Sequence, residues 1–312
     1  MYKLALFGVL ALLPVFALAA PTAYVPNEGS GTISVINTKS DEVLASFPVG
    51  DRPRGTVVSP DGRRLYVTTQ PNGLTVVDLQ QRKVITTVKL GASPEGNDIS
   101  PDGSLVAVAV EEANRVAFID TATNKEAFSV KVTGKNPEHP AFSPDGKQVY
   151  VGAEDGDEVD IIDVASHKQV AKVEVGKRPR GIDFTPDGKV AYVGCELAST
   201  VYAIDTADHH VIAKIPGGKF SNGVEMRPDG KRVYISNGKD YTVSVIDTAT
   251  NKIIATIPVG HRPWNMAITP DGSKLYVANG RSDSVSVIDT ATNKKIKDIA
   301  VGKKPWGVAI HP

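Results

Sequence analysis

The sequence predicts an all-β protein, a seven-bladed β-propeller of four-stranded antiparallel blades, and three observations carry the prediction. Pro-Asp-Gly recurs at Pro60, Pro101, Pro144, Pro186, Pro228 and Pro270, at intervals of 41, 43, 42, 42 and 42 residues. Every interval repeats one text: LYVT or a variant, a polar loop, VSVID or a variant, TATNK or a variant, a β-branched run, then Val-Gly. Period-two alternation within the runs and turn residues between them make four short strands per interval. A four-stranded unit of about 40–45 residues has the dimensions of a propeller blade, WD40-like in length, and about seven of them fill residues 20–312.

The chain opens on MYKLALFGVLALLPVFALAA, with Lys3, an apolar run from Leu4 to Ala20, and small residues at Ala17 and Ala19. That order reads as a signal peptide over residues 1–19, cut near Ala19. The run is short and has no basic flank after it, so no membrane insertion is expected once the leader is removed. Export leads to an oxidising compartment, but Cys195 is the single cysteine and no intrachain disulfide can form, so packing must supply stability. Basic and acidic side chains balance at 35 each, which gives no electrostatic reason for nucleic acid or an anionic membrane as partner. A monomer is expected.

From Thr22, TAYVPNEGSGTISVINTKS supplies the second, third and fourth strands of a blade without a first; GVAIH, from Gly307, supplies it. Head and tail thus share one blade, and closure removes the free edges. The Ser/Thr-Pro-Asp-Gly turns place Pro where φ near −65° is needed and Gly where φ is positive. Asp78, Asp120, Asp163, Asp205, Asp247 and Asp289 end the third strands and are read as turn caps rather than as an acidic catalytic ring. His209 and His210, in one such turn, are read as surface polar residues.

The opposite face varies from blade to blade, and loops on a rigid scaffold are where function usually sits. Six places before each repeat's Pro stand Arg54, Glu95, Glu138, Arg180, Asn222, Trp264 and Trp306. On innermost strands, these side chains should ring the mouth of the central channel. Two residues earlier come Arg52, Arg178, Arg262 and Lys304. Both tryptophans of the chain fall in the first column, where indole and guanidinium side by side suit a small planar anion held by stacking and bidentate hydrogen bonds. The plain alternative is that Arg54, Glu95, Glu138 and Arg180 pair with one another and plug the channel. Glu111, Glu154, Glu196, Asn27, Asn237 and Asn279, at the tops of second strands, offer with Glu95 and Glu138 an oxygen-rich site of the kind that takes Ca²⁺. EDGDEVD at 154–160 lacks the spacing of a calcium loop and reads as a solvated hairpin tip, and Cys195 as a small buried residue.

The phrases AYV, VSVIDTATNK, IPVG, SPDG and LYVANG resemble the YVTN β-propeller repeat family over residues 22–312. The order RPRG, PEG, PE, RPRG, PWN, PWG, with the terminal VGKKPWGVAIHP, is similar to the propellers associated with pyrroloquinoline-quinone-dependent alcohol catabolism. GKFSNG, where a Pro-containing loop is expected, departs from that pattern and leaves the role of Asn222 open. The resemblance implies a periplasmic protein without catalytic activity that binds pyrroloquinoline quinone or a related small anion, or docks a periplasmic dehydrogenase or transporter component. Arg54, Arg180, Trp264 and Trp306 would carry recognition. Two other readings compete: a divalent-metal-dependent lactonase-like hydrolase, in which Glu95, Glu138 and an ion activate water, and a pure protein-interaction scaffold with the tryptophans as hot spots.

Overall fold

A computed structural model describes residues 21–71, 73–91 and 93–311; the expected leader over residues 1–19 lies outside them. The described residues form seven four-stranded antiparallel sheets. Six follow the chain in order, with first strands Pro53–Val58, Pro94–Ile99, Pro137–Phe142, Pro179–Phe184, Ser221–Met226 and Pro263–Ile268. The seventh joins Ala309–His311 to Thr22–Asn27, Thr32–Asn37 and Glu42–Pro48. Thr22, Ala23 and Tyr24 pair with His311, Ile310 and Ala309, so the two ends of the chain share one sheet as the repeat arithmetic requires. Val308 packs with Ala23, Val25, Tyr276 and Val285 in one apolar cluster, which carries the closure into the core.

Second and third strands are apolar on both faces because neighbouring blades cover them: Val106–Val110 and Val116–Ile119 are fully buried. Fourth strands face water on one side and intersperse lysine with apolar residues such as Val84 and Ile85, a charged edge that discourages pairing with another chain. The third-strand aspartates cap their turns as expected, Asp78 Oδ1 accepting the Gln81 N–H at 2.7 Å and Asp289 Oδ1 the Thr292 N–H at 2.7 Å.

His209 does more than the sequence reading allowed. It sits at φ 63°, the left-handed position shared by Asp41, Asn124, His167, Asn251 and Asn293 in the equivalent turns. From there its Nδ1 meets the Tyr150 hydroxyl of the preceding blade at 2.9 Å. Tyr192 donates to Asn251 in the same way at 2.7 Å, and Tyr276 reaches Asp41 across the closure, where Lys274 also binds Asp41 at 2.8 Å. A buried second-strand tyrosine latched to the next blade's turn thus recurs around the ring. His210 does stay at the surface, paired with Asp208.

Every first strand of the six consecutive blades bulges. Its register breaks between Pro53 and Thr56, Pro94 and Asn97, Pro137 and Pro140, Pro179 and Ile182, Ser221 and Val224, and Pro263 and Met266. A bulge takes two side chains off the ladder and re-aims them, and the first of the two is the predicted mouth column. The second is glycine at 55, 96, 181, 223 and 307. A Cβ at Gly55 would stand 2.7 Å from the Glu95 carbonyl oxygen, and one at Gly223 2.4 Å from that of Trp264, so the first strands meet backbone to backbone around the axis. Only His139 and Asn265 break this column.

Candidate functional site

Those two exceptions meet across the channel. Asn265 Nδ2 lies 3.2 Å from His139 Nε2 and 3.4 Å from the Trp306 carbonyl oxygen, to which the Asn265 backbone N–H also donates at 3.3 Å. The carbonyl demands an N–H on its side of the amide, so Asn265 donates to His139 Nε2 and the imidazole proton rests on Nδ1. The bridge divides the channel into a cavity of about 460 Å³ at the variable face and a shaft of about 240 Å³ toward the Pro-Asp-Gly turns, both lined by His139 and Asn265.

The upper cavity is the predicted mouth. Arg52, Arg54, Glu95, Glu138, Arg178, Arg180, Asn222, Arg262, Trp264 and Trp306 all line it. Lys304 does not; its side chain is exposed and its backbone N–H is bound to Asp283 at 2.8 Å. The guanidiniums are not free. Arg54 pairs with Glu95 and, at 3.2 Å, with Glu28; Arg52 joins Glu28 at 3.1 Å. Arg180 pairs with Glu138 and with Glu154 at 2.8 Å, Arg178 with Glu154, and Arg262 with Glu196 at 2.6 Å. The ring pairing foreseen as the plain alternative therefore exists, and it recruits carboxylates from the neighbouring loops and second-strand tops.

Trp306 does not offer an open stacking platform. Its indole is 7% exposed and lies flat on His139, ring centroids 5.1 Å apart and planes at 12°, with Trp264 edge-on at 6.5 Å. The cation over an indole is Arg262, 5.8 Å from Trp264. The calcium reading also fails on geometry. Asn27, Asn237 and Asn279 each donate inside their own hairpins, to Ser34, Ser244 and Ser286 at 2.9–3.0 Å. Glu154 and Glu196 are taken by arginines, and among the described residues no three carboxylate, imidazole or thiol groups converge closely enough to hold an ion. Cys195 is buried, as expected, and burial pushes its thiol up to about 12.

Burial raises Glu95 to about 8, the Glu138 charge adds to the rise, and Arg54 opposes it, so this carboxyl holds a proton at neutral pH. His139 is pushed down to about 3 by burial and by Arg180 and Arg54, so its ring is neutral. Five buried polar atoms here have no hydrogen-bond partner: Arg54 Nε, His139 Nδ1, Arg178 Nε, Arg180 Nε and Glu196 Oε2. Glu196 is 0% exposed, and its Oε2 lies 3.3 and 3.4 Å from the Arg178 and Arg180 Nε atoms without hydrogen-bond alignment. Buried polar groups are otherwise almost always satisfied, and four of the five residues that carry these atoms line the one cavity.

A family model described as "Lactonase, 7-bladed beta-propeller" matches residues 125–301, and one described as "Cytochrome D1 heme domain" matches residues 23–123. No curated protein matches. Among solved structures, Kuenenia stuttgartiensis hydrazine synthase is 26% identical, covers 91% of this chain and 99% of its own, and superposes with a TM-score of 0.79. A 6-phosphogluconolactonase candidate from Bacteroides fragilis is 22% identical over 96% of this chain and 100% of its own, TM-score 0.79. The dihydro-heme d1 dehydrogenase NirN, in complex with DHE, is 18% identical over 96% and 77%, TM-score 0.69. The last two show likeness of fold. These matches carry the propeller kinship read from the repeats and not the narrower likeness to the quinone-associated propellers. Nor does the mouth fit a haem: the imidazole that lines it has one nitrogen bound to Asn265 and one face covered by Trp306, and charged side chains stand where a macrocycle needs an apolar slot. The lactonase model spans more than half of the sequence, and the chain belongs to the seven-bladed β-propeller lactonase family.

Proposed function

We propose that the mouth is an active site that opens a lactone ring by acid–base catalysis without a resident metal ion. The observation that supports this best is the set of unpartnered N–H donors, His139 Nδ1, Arg54 Nε and Arg180 Nε, around one cavity. Fixed donors aimed where negative charge develops are what acyl transfer needs at the carbonyl oxygen. Two neighbouring carboxyls differ in environment in the way acid–base pairs do. Glu138, whose charge Arg180 compensates, takes a proton from the attacking water, and Glu95, protonated at neutral pH, gives one to the ring oxygen as the acyl C–O bond breaks. Kinship with the lactonase family favours this over capture of a planar anion such as pyrroloquinoline quinone, which asks for guanidiniums that are here already paired. We also propose export to the periplasm, which Lys3 and the apolar run after it support.

Hydrolysis of glucono-1,5-lactone, followed by acid release above the spontaneous rate, tests it. The expected rate falls as pH rises through about 8, where Glu95 loses its proton, and Glu95→Gln lowers kcat by about 10²-fold or more. An unchanged kcat and pH profile in Glu95→Gln would sink the assignment. Saturable quenching of tryptophan fluorescence by pyrroloquinoline quinone, with no turnover of lactones, would restore the capture reading.

A further inference from the structure

We propose that the lactone opened here is uncharged and polyhydroxylated, a sugar lactone with no phosphate or carboxylate of its own, because every guanidinium of the mouth is already bound to a carboxylate. This rests on the lactone reading and narrows it to a substrate class.

The charges make the case. Five arginines stand at the mouth, Arg52, Arg54, Arg178, Arg180 and Arg262, and each has at least one glutamate partner. The acidic side chains number six: the five that pair with them, of which Glu95 holds a proton at neutral pH, and Glu111, which accepts from Ser93 at 3.0 Å. Among the described residues no lysine lines the cavity, and Lys303 and Lys304 stand exposed in water outside it. An anionic substituent would therefore have to strip a carboxylate from a buried pair and leave that carboxylate uncompensated, which costs more than the new contact returns. The alternative is to sit among solvated lysines, where a charge contributes little.

What the cavity does offer is suited to hydroxyl groups. Gln70, Ser93, Asn222 and Asn265 line it with side chains that donate and accept hydrogen bonds, and Trp264 is only half-buried. The reaction also turns charge to advantage. Water adds to the carbonyl carbon, the acyl C–O bond of the ring breaks, its oxygen becomes a hydroxyl, and the new carboxylic acid loses its proton. A neutral substrate thus becomes an anion among glutamates that already claim every guanidinium, and the product is repelled where the substrate was not.

The experiment compares glucono-1,5-lactone with its 6-phosphate on the full chain, and in parallel measures calorimetric binding of glucono-1,5-lactam, a non-hydrolysable analogue, with and without the 6-phosphate. The uncharged lactone should show a kcat/KM at least about tenfold higher, with little change on adding salt, because there is no charge to steer. The uncharged lactam should bind more tightly than its phosphate. Preference for the phosphorylated compound in either assay, or an advantage for it that fades with salt, overturns the inference even where lactones are opened. Tighter binding of the uncharged lactam without any turnover removes the hydrolase reading and leaves the ligand class standing. Binding of neither analogue, with neither lactone opened, overturns both.

Discussion

On the two sides of the His139–Asn265 bridge the same channel handles buried carboxyls in opposite ways. Toward the mouth, Glu95, Glu138, Glu154 and Glu196 all have arginine partners. In the shaft, Asp98, Asp183 and Glu225 have none; among the described residues no lysine or arginine lines it. Its acids are tied only to backbone. Asp98 accepts the N–H groups of Ile99 and Phe142 at 2.8 and 2.7 Å, Asp183 those of Phe184 and Met226 at 2.7 Å, and Glu225 that of Ile268 at 2.9 Å. One bond of each therefore crosses to the next blade. Burial raises Asp98 and Asp183 to about 6 and Glu225 well above its ordinary value. At the mouth arginines compensate the acids, whereas the shaft leaves its acids without a counter-charge and uses them as seams between blades.

Breaking a compensated pair should therefore be the most damaging change. Arg180→Met leaves Glu138 and Glu154 without that guanidinium, and loss of one partner from a buried pair costs about 3–5 kcal/mol. Urea denaturation at pH 7.5 should show it; a loss no greater than for an exposed arginine such as Arg63 would mean that the mouth is more hydrated than its geometry indicates. A smaller effect of the opposite kind is expected in the shaft. A carboxyl whose folded pKa lies above its unfolded value stabilises the fold fully below about pH 4, and that contribution is lost as pH rises through about 6. The unfolding free energy from denaturation should decline between those values, by about 2–3 kcal/mol for each of the two aspartates. Asp98→Asn retains an acceptor oxygen and should flatten part of the decline. An equally steep decline in the variant would place the titration elsewhere.

The contrast between these regions was partly legible in the sequence. Repeat spacing placed the mouth column because a strand period fixes which residues face the axis, and turn chemistry placed the third-strand aspartates. Spacing could not tell which carboxylate each arginine would reach, since Arg54 and Arg180 draw partners both from the ring and from neighbouring loops and second-strand tops. His139 and Asn265 were missed, although NPEH and RPWN stand where the other blades have glycine. A column of glycine reports backbone packed too closely for a side chain, so its two exceptions had to occupy the axis. The shaft acids were visible as NDI, IDF and VEM, an acid between apolar neighbours on an inward strand, but their role lies in hydrogen bonds to the next blade that periodicity within one blade does not contain.

The boundary between the two regions is the subtlest feature to perturb. Asn265 donates to His139 Nε2 and so acts through the imidazole as a positioning residue, holding its proton on Nδ1 among the unpartnered donors of the mouth. Asn265→Asp replaces that donor with an acceptor of nearly the same shape. The expected results are transfer of the His139 proton to Nε2 and a rise in its pKa from about 3 into the range above 6, as a carboxylate now favours the charged ring. Imidazole nitrogen NMR reads both, independently of any turnover. The variant also loses the Nδ2 contact to the Trp306 carbonyl oxygen, so a loss of stability of about 1–3 kcal/mol is expected beside the spectral change. A wild-type spectrum with the proton on Nε2 would reverse the assignment of donor and acceptor across the channel, and with it the claim that the buried Nδ1 of His139 carries an unpartnered N–H.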